Sequence, residues 1–300
     1  MVFGRQTTLG SDLALADGRS YCRSGLPVFC SPPAAHIASG DGLKANPELR
    51  LATAAMSDRG DALVAGASGG IGAALVAGFL ADPRIERVFA VSRSQAPPVA
   101  LASRPGLVWI CCDYSEASMQ QVRDQIQALH PTLLRVALCH GVLHGDQLAP
   151  EKRLEDIDAV SLQTVFTANA IVPVLWLKVL RKLLSHARHC KVAVLSARVG
   201  SIGDNHLGGW YAYRASKAAL NMLLKTAAIE YSRRSANVKL LSFHPGTTDT
   251  PLSKPFQSSV AADKLFTPDF VASQLIALMT AADIDGQLTF IDWNGQSIDW

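Results

Sequence analysis

The chain has 300 residues, of which 49% are hydrophobic and 18% charged, and its net charge is +3. This is the composition of a globular protein with enough apolar residues for a large core. The small net charge gives no reason to expect nucleic acid or an acidic membrane surface as a partner. The apolar runs are short and interrupted, so no transmembrane helix is predicted. Six cysteines, none in a CxxC pair, favour reduced thiols in a cytoplasmic protein.

Residues 1–57 differ from the rest because they are rich in Gly, Ser, Ala and Pro and show no sustained hydrophobic period. They are interpreted as a disordered extension, or as residues upstream of a true translation start at Met56. A transit peptide is a third interpretation, against which Asp12 and Asp17 weigh. We predict that residues 58–300 form a single folded domain.

A short apolar strand over 61–65 is followed by a glycine-rich turn and then a helix over 71–80. Glycines at such a turn let the backbone approach a pyrophosphate closely, and the helix N-terminus offers it free N–H groups. The order of strand, turn and helix therefore predicts a dinucleotide site. Its candidate ligands are Gly66, Ser68, Gly70, Ile71 and Gly72.

The second predicted strand, over 87–91, leads into Ser92 and Arg93, and Arg93 is either a cofactor ligand or a solvated loop residue. In dinucleotide folds an acidic residue at this position binds the ribose 2′-hydroxyl, whereas an arginine accommodates a 2′-phosphate. Because residues 92–94 contain no acid, NADP(H) is favoured over NAD(H). Two prolines in 95–98 leave little room for a helix before the next strand, over 107–112. That strand is very apolar, which favours a central place in the sheet.

Candidate cofactor ligands also follow the third and fourth predicted strands. Asp113 stands at a strand end where ligands of a parallel sheet gather, although it also suits the turn before a helix that begins near residue 116. The fourth strand, over 135–138, precedes Gly141, which would permit close approach of the cofactor. His140 is interpreted as a loop histidine, because no second metal ligand stands at a useful spacing from it.

A long helix is predicted over 161–184, kinked at Pro173. Asn169 lies just before the kink, where its amide could serve a site or simply face solvent. The fifth strand, over 191–195, ends at Ser196, whose hydroxyl could donate to a reacting oxygen.

The sixth strand, over 239–243, leads into a loop that would cap the nicotinamide end of a cofactor through backbone groups and hydroxyls. The residues assigned to that cap are Pro245, Gly246 and Thr250. A helix over 267–280 and a strand over 288–291 complete the chain. Regular alternation of strands and helices predicts an α/β fold, a doubly wound parallel sheet of the Rossmann type.

Tyr213 and Lys217 are four residues apart in an alanine-rich segment of high helix propensity, which places them on one helix face. A nearby ammonium group favours the phenolate, so Lys217 is expected to lower the pKa of Tyr213 from its usual value of about 10. A tyrosine tuned in this way can exchange a proton with a carbonyl or hydroxyl group near neutral pH.

Taken together, these features resemble the short-chain dehydrogenases/reductases over about 60–300. The motifs that match in order and spacing are Gly66-x-x-x-Gly70-x-Gly72, Asp113, Asn169, Tyr213-x-x-x-Lys217 and Pro245–Gly246. Segments 196–202, 208–217 and 286–300 are similar to the C-factor and sniffer-like carbonyl reductase branch of that family.

The resemblance implies a hydride transfer between a nicotinamide and a carbonyl carbon, with a small-molecule aldehyde, ketone or alcohol as substrate. Tyr213 would be the general acid in reduction and the base in oxidation, and Lys217 would also bind the nicotinamide ribose. Asn169 would anchor a water that links Lys217 to solvent, and Asp113 would contact the adenine. A serine would hold the substrate oxygen. The resemblance also implies a homodimer or homotetramer paired through 161–185 and 211–234.

Two departures from the family pattern affect these expectations. The family's Asn-Asn-Ala-Gly is replaced by residues 138–141, of which only Gly141 matches. Ala197 stands where the family's catalytic serine is usual, so Ser196 is taken as the substitute, with Ser201 as the other candidate. These departures keep open an alternative function, a cofactor-binding signalling or regulatory protein with little turnover.

Overall fold

The computed structural model of the chain describes residues 59–186 and 188–300, and the predicted N-terminal extension over 1–57 lies outside them. The described residues form nine strands and six α-helices. The strands are β1 (Gly60–Ala65), β2 (Ile85–Ser92), β3 (Leu107–Cys111), β4 (Leu133–Leu138), β5 (Cys190–Leu195), β6 (Val238–His244), β7 (Thr247–Thr248), β8 (Leu265–Phe266) and β9 (Leu288–Asp292). The helices are α1 (Gly70–Ala81), α2 (Glu116–Ala128), α3 (Ala159–Phe166), α4 (Val172–Leu184), α5 (Tyr211–Arg234) and α6 (Pro268–Ala281).

Seven strands form one parallel sheet in the order β3-β2-β1-β4-β5-β6-β9, and β7 and β8 form a separate parallel pair. The chain winds outward from β1 to β3 in one direction and from β4 to β9 in the other. This confirms the predicted doubly wound α/β fold. The winding direction reverses between β1 and β4, and in such sheets ligands bind beyond the carboxyl ends of the strands at that switch point.

Alternate residues of the strands enter two separate cores. In β1, Leu63 and Ala65 join the core under α2, α4 and α5, whereas Ala62 and Val64 join the core under α1 and α6. Both faces of the sheet are therefore covered by helices. This double burial accounts for strand sequences that are apolar almost throughout.

Strand β3 lies at the edge of the sheet, so the prediction of a central place for it is wrong. Its apolar character has another cause, since its residues pack on both faces of the sheet. Ile110 and Val108 contact one core, and Leu107 and Trp109 contact the other. A strand at the edge can therefore carry an apolar run when the side chains of both its faces pack against apolar cores.

The predicted long helix is two helices, α3 and α4, joined by a π-helical turn over Thr167–Ile171. Pro173 stands in the first turn of α4, where its missing N–H removes a donor for the carbonyl of Asn169 four residues earlier. The backbone widens instead, and the N–H of Val172 bonds to the carbonyl of Thr167. Π-helical turns of this kind occur frequently at functional sites.

By length and composition alone, Ala159–Leu184 would be apolar enough to cross a membrane, and 39% of its most apolar window is buried. The buried residues of this segment include Trp176, Leu180 and Leu184, which pack in the core under α4. A core helix passes the same test, so the segment is weak evidence for a membrane span.

Candidate active site

The glycine-rich turn after β1 stands at the switch point of the sheet. Gly66 has φ +85°, a left-handed conformation that favours glycine. A methyl group at Gly72 would lie 2.2 Å from the Gly66 carbonyl oxygen, so the start of α1 can approach the turn only without a side chain there. The backbone N–H groups of Gly66 and Ala67 both donate to Val91, which ties the turn to β2.

A cavity of about 710 Å³ opens at this end of the sheet. It brings together five residues predicted from the sequence, namely Gly66, Ser68, Arg93, Asp113 and Gly141. The Asp113 carboxylate accepts the Ser115 N–H at 2.8 Å, so Asp113 forms the turn before α2 and also lines the cavity. Hydrogen bonds from Ser115 hold the pKa of Asp113 below its usual value, which keeps the carboxylate ionised.

The cavity also has walls that the sequence did not reveal. Tyr114 lines the cavity, and its backbone is left-handed, with φ +68°. This conformation is uncommon for a tyrosine, so nothing in the sequence indicates it. Gln163, Thr164 and Thr167 form the wall contributed by α3 and the π-helical turn. Gln163 and Thr164 precede Thr167 by four and three residues, which places both on the helix face of Thr167, a signal that the sequence contains.

His140 is almost fully buried beside this cavity. Its ring meets Tyr114 edge-on at 4.5 Å between centroids and stacks on Trp176 at 6.4 Å. Neither ring nitrogen has a hydrogen-bond partner among the described residues. Burial lowers the pKa of His140 to about 3, so the imidazole is neutral at ordinary pH. His140 thus packs between Tyr114 and Trp176 as a neutral, enclosed ring.

Tyr213 and Lys217 lie one turn apart on α5, as predicted from their spacing. Lys217 Nζ lies 5.8 Å from the centroid of the Tyr213 ring and donates a hydrogen bond to the Leu195 carbonyl at 2.8 Å. Burial raises the pKa of Tyr213 to about 12 and lowers the pKa of Lys217 to about 7. The expected lowering of the Tyr213 pKa is therefore absent from this structure, because burial favours the neutral form of both groups.

Asn169 and Gly141 connect this pair to the cavity. The fully buried Asn169 amide accepts the Val142 N–H at 2.7 Å and donates to the Val142 carbonyl and to the Ser216 hydroxyl. A methyl group at Gly141 would lie 3.8 Å from both Asn169 Oδ1 and Lys217 Nζ. The structure thus brings together Gly141, Asn169 and Lys217, and the interpretation of Asn169 as a surface residue is wrong.

The Ser196 hydroxyl is not free to bind a substrate, because it is already hydrogen-bonded. It is buried and donates to Asn221 Oδ1 at 2.8 Å, and the Ser242 hydroxyl donates to the same oxygen at 2.7 Å. This placement disagrees with the predicted role of Ser196 in holding the substrate oxygen. Ser201 is also buried, and its hydroxyl accepts the Asp204 N–H at 3.1 Å, which stabilises a loop turn.

The remaining candidates lie around the cavity rather than on its lining. Ile71 packs against the core under α1. A methyl group at Gly70 would lie 2.8 Å from the Thr250 side chain, so Thr250 rests against the start of α1. Pro245 and Gly246 turn the chain between β6 and β7, with Gly246 at φ +69°.

The N-terminus of α5, which carries Tyr213, is held by Glu151. The Trp210 N–H donates to the Glu151 carbonyl at 2.5 Å, and the Ala212 N–H donates to the Glu151 carboxylate at 3.2 Å. Trp210 itself has a left-handed backbone, φ 52°, and directs its ring edge-on toward Tyr213. A carboxylate near a helix N-terminus is favourable because free N–H groups and the helix dipole both attract it. Sequence reasoning missed Glu151, since no local capping pattern links it to a helix 60 residues later.

Residues 61–261 match the family model described as short chain dehydrogenase. The chain is 38% identical over 108 residues to 1-hydroxy-2-glutathionyl-2-methyl-3-butene dehydrogenase of Rhodococcus sp. (strain AD45), which covers 36% of this chain and 45% of that protein. It is 30% identical over 147 residues to C-signal of Myxococcus xanthus, covering 49% and 83% respectively. It is 27% identical over 159 residues to benzil reductase of Bacillus subtilis (strain 168), covering 48% and 65%. The match thus spans less than half the length of the Rhodococcus relative.

Solved structures share the fold over most of the chain. NADPH-bound carbonyl reductase from chicken fatty liver superposes with a TM-score of 0.70 at 24% identity, covering 81% of this chain and 99% of that one. Carbonyl reductase Sniffer of D. melanogaster superposes with a TM-score of 0.69 at 19% identity, covering 81% and 100%.

Proposed function

Because the chain belongs to the short-chain dehydrogenase family and is therefore an oxidoreductase, we propose that it is an NADP(H)-dependent carbonyl reductase in which Tyr213 supplies the proton. The observation that carries this proposal is the closeness of Asn169 and Lys217 to Gly141, which lines the cavity. Lys217 stands one helix turn from Tyr213. Similarity to a benzil reductase supports reduction of a carbonyl group.

The residues present fit a dinucleotide. The cavity begins at the glycine turn, where there is no space for a Cβ at Gly72. Ser68, Arg93 and Asp113 line it. In the proposal Asp113 contacts the adenine, Arg93 the ribose 2′-phosphate, and the turn after β1 the pyrophosphate. When bound, the nicotinamide supplies the hydride to the carbonyl carbon.

The protein's part in the proposed reaction is to position groups and supply a proton. With a pKa of about 12, Tyr213 keeps its phenolic proton at neutral pH and has it available for the carbonyl oxygen. Lys217 is close enough that its charged form would stabilise the phenolate left behind. Asn169 holds the loop after β4 against α5 through its bonds to Val142 and Ser216. These bonds fix the position of Lys217 relative to the cavity.

Replacing Tyr213 with phenylalanine tests the proton donor. We expect Tyr213→Phe to lower kcat for NADPH-dependent carbonyl reduction by about 10²–10⁴-fold, the usual contribution of a positioned acid. NADPH affinity, measured by calorimetry, should stay within a factor of three. Full activity in the phenylalanine variant would refute the assignment. Tight NADPH binding by the unaltered protein without oxidation across a broad carbonyl panel would favour the signalling alternative, which the C-signal similarity also suggests.

Replacing Arg93 tests the choice of cofactor. Arg93 is exposed on the cavity wall, and residues 92–94 contain no acid that would repel a phosphate. We expect Arg93→Ala to weaken NADPH binding at least tenfold and to change NADH binding little, because only NADPH carries the 2′-phosphate. Equal losses for the two cofactors would remove Arg93 from this role.

We further propose a cytoplasmic homodimer or homotetramer paired through α3, α4 and α5. Large apolar side chains are exposed on α5, at Met222 and Ile229, and in the π-helical turn before α4, at Ile171. Exposed apolar side chains that adjoin one another mark contact surfaces. Light scattering on the purified protein would measure the mass, and a monomer at micromolar concentration would contradict the proposal.

A further inference from the structure

Three separate segments contribute a row of aromatic rings that ends at Tyr213, in the order His144, Phe256, Trp210, Tyr213. His144 comes from the loop after β4, Trp210 from the segment before α5, and Phe256 from the 3-10 helix Lys254–Ser259. Ring centroids are 5.0 Å apart for Trp210 and Phe256, and 5.8 Å apart for His144 and Phe256. Trp210 meets Tyr213 edge-on at 6.2 Å. We call His144, Phe256 and Trp210 the aromatic wall.

Hydrogen bonds hold two residues of the wall in place, one through its backbone and one through its ring. The Trp210 backbone is fixed by its bond to Glu151 at the start of α5. His144 Nε2 lies 3.1 Å from the carbonyl oxygens of both Pro251 and Leu252, so it serves them as an N–H donor. Because the three rings are only half-buried, part of each remains open to a ligand.

Two cations near the wall, Lys254 and Arg214, already have partners. Lys254 Nζ lies 3.6 Å from Asp249 Oδ1, and Arg214 donates to the backbone carbonyls of Gly208 and Gly209. Within the part of the chain that the structure describes, these cations therefore have partners of their own. A carboxylate or phosphate on the substrate would have to compete for them, whereas a flat apolar group would not.

We infer that the substrate carries an aryl ring, which lies against the aromatic wall while its carbonyl group meets Tyr213. This inference rests on the proposed carbonyl reduction and specifies its substrate class. Offset-stacked and edge-to-face ring pairs contribute beyond the area they bury, and the contribution amounts to about threefold to tenfold in affinity. A saturated ring of the same size gains the buried area without that contribution.

The test compares two ketones that differ only in the ring, 1-phenylpropan-2-one and 1-cyclohexylpropan-2-one. Neither carbonyl is conjugated with its ring, so the intrinsic reactivities are similar. With the full chain and NADPH, we expect kcat/KM to be about fivefold or more higher for the phenyl compound. Trp210→Leu should bring the ratio close to one, and Trp210→Phe should keep it because a flat ring remains. Trp300→Leu is the matched control, since Trp300 stacks on Phe290 in β9 rather than on the wall.

Equilibrium binding of both ketones to the protein, measured by saturation-transfer NMR, separates this inference from the proposed function. Turnover of both ketones without a phenyl preference would overturn the aryl class and leave carbonyl reduction standing. Phenyl-selective binding that Trp210→Leu abolishes, without turnover, would support the aryl site and refute the reductase. Absence of phenyl selectivity in both measurements would also overturn the inference.

Discussion

The pair of Tyr213 and Lys217 shows what residue spacing can and cannot predict. A separation of four residues in a helical segment is sufficient to place both side chains on one face of α5. It does not reveal burial, and burial determines the pKa values of both groups. The Tyr213 pKa is raised to about 12 and the Lys217 pKa is lowered to about 7, opposite to the expected effect on the tyrosine. Geometry was therefore predictable here, and electrostatics was not.

Ser196 provides a prediction at the same scale. Its hydroxyl donates to the buried Asn221, so we expect Ser196→Ala to lower the free energy of unfolding by about 1 kcal/mol, the usual contribution of such a bond. The carbonyl reductase kcat should change less than threefold. Urea unfolding and steady-state kinetics on the same preparation would measure both. A hundredfold loss of kcat at unchanged stability would instead make Ser196 a substrate ligand, as the sequence suggested.

At the scale of single elements, the sequence predicted that the helix after β4 is interrupted, but not the conformation of the interruption. Pro173 correctly predicted an interruption in the helix after β4, because it cannot donate a backbone bond. The π-helical turn over Thr167–Ile171 was not predictable, since a proline indicates a break without indicating whether the helix kinks or widens there. That widened turn carries Asn169 into the site.

The glycine turn after β1 allows a matched pair of substitutions. A methyl group at Gly72 would lie 2.2 Å from a backbone oxygen, whereas the nearest atom to a methyl group at Gly69 is 3.4 Å away. We expect Gly72→Ala to lower the unfolding free energy by about 2–3 kcal/mol through overpacking against a rigid turn. Gly69→Ala should lower it by less than about 1 kcal/mol, because Gly69 has an extended backbone that alanine adopts. Equal midpoints in urea for the two variants would contradict this description of the turn.

At the scale of the whole molecule, the order of elements predicted more than their composition did. Alternation of strands and helices predicted the doubly wound sheet and a site beyond β1 and β4. Apolar composition misplaced β3, because the side chains of this edge strand pack against a core on each face of the sheet, as those of a central strand do. Contacts between distant segments, such as Glu151 with α5, were also beyond the sequence pattern, since they depend on how loops meet in space.

The fold as a whole should lose stability in mild acid. Burial lowers the pKa of His140 to about 3 and that of His244 to about 4, from 6.5. Between those values and about pH 6.5 the unfolded chain binds more protons than the folded chain, so the unfolding free energy falls as pH falls through this window. Each histidine contributes up to about 1.4 kcal/mol per pH unit.

Urea midpoints measured at pH 7, 6 and 5 would check this dependence. We expect His140→Phe, which keeps a flat ring against Trp176, to reduce the loss of stability between pH 6.5 and 5. His206→Gln, on an exposed loop, serves as the control and should follow the unaltered protein. A pH dependence that His140→Phe leaves unchanged would mean that His140 is not held neutral by the fold.

The two bonds from the start of α5 to Glu151 have a consequence for how this protein can diverge. They join the loop after β4, which carries His144, to the helix that carries Tyr213. A mutation that reshapes this loop to admit a new compound would also displace the helix start and the phenol one turn later. Substrate range and reaction rate are therefore expected to change together. We expect the first variants selected for a new substrate to have a lower kcat.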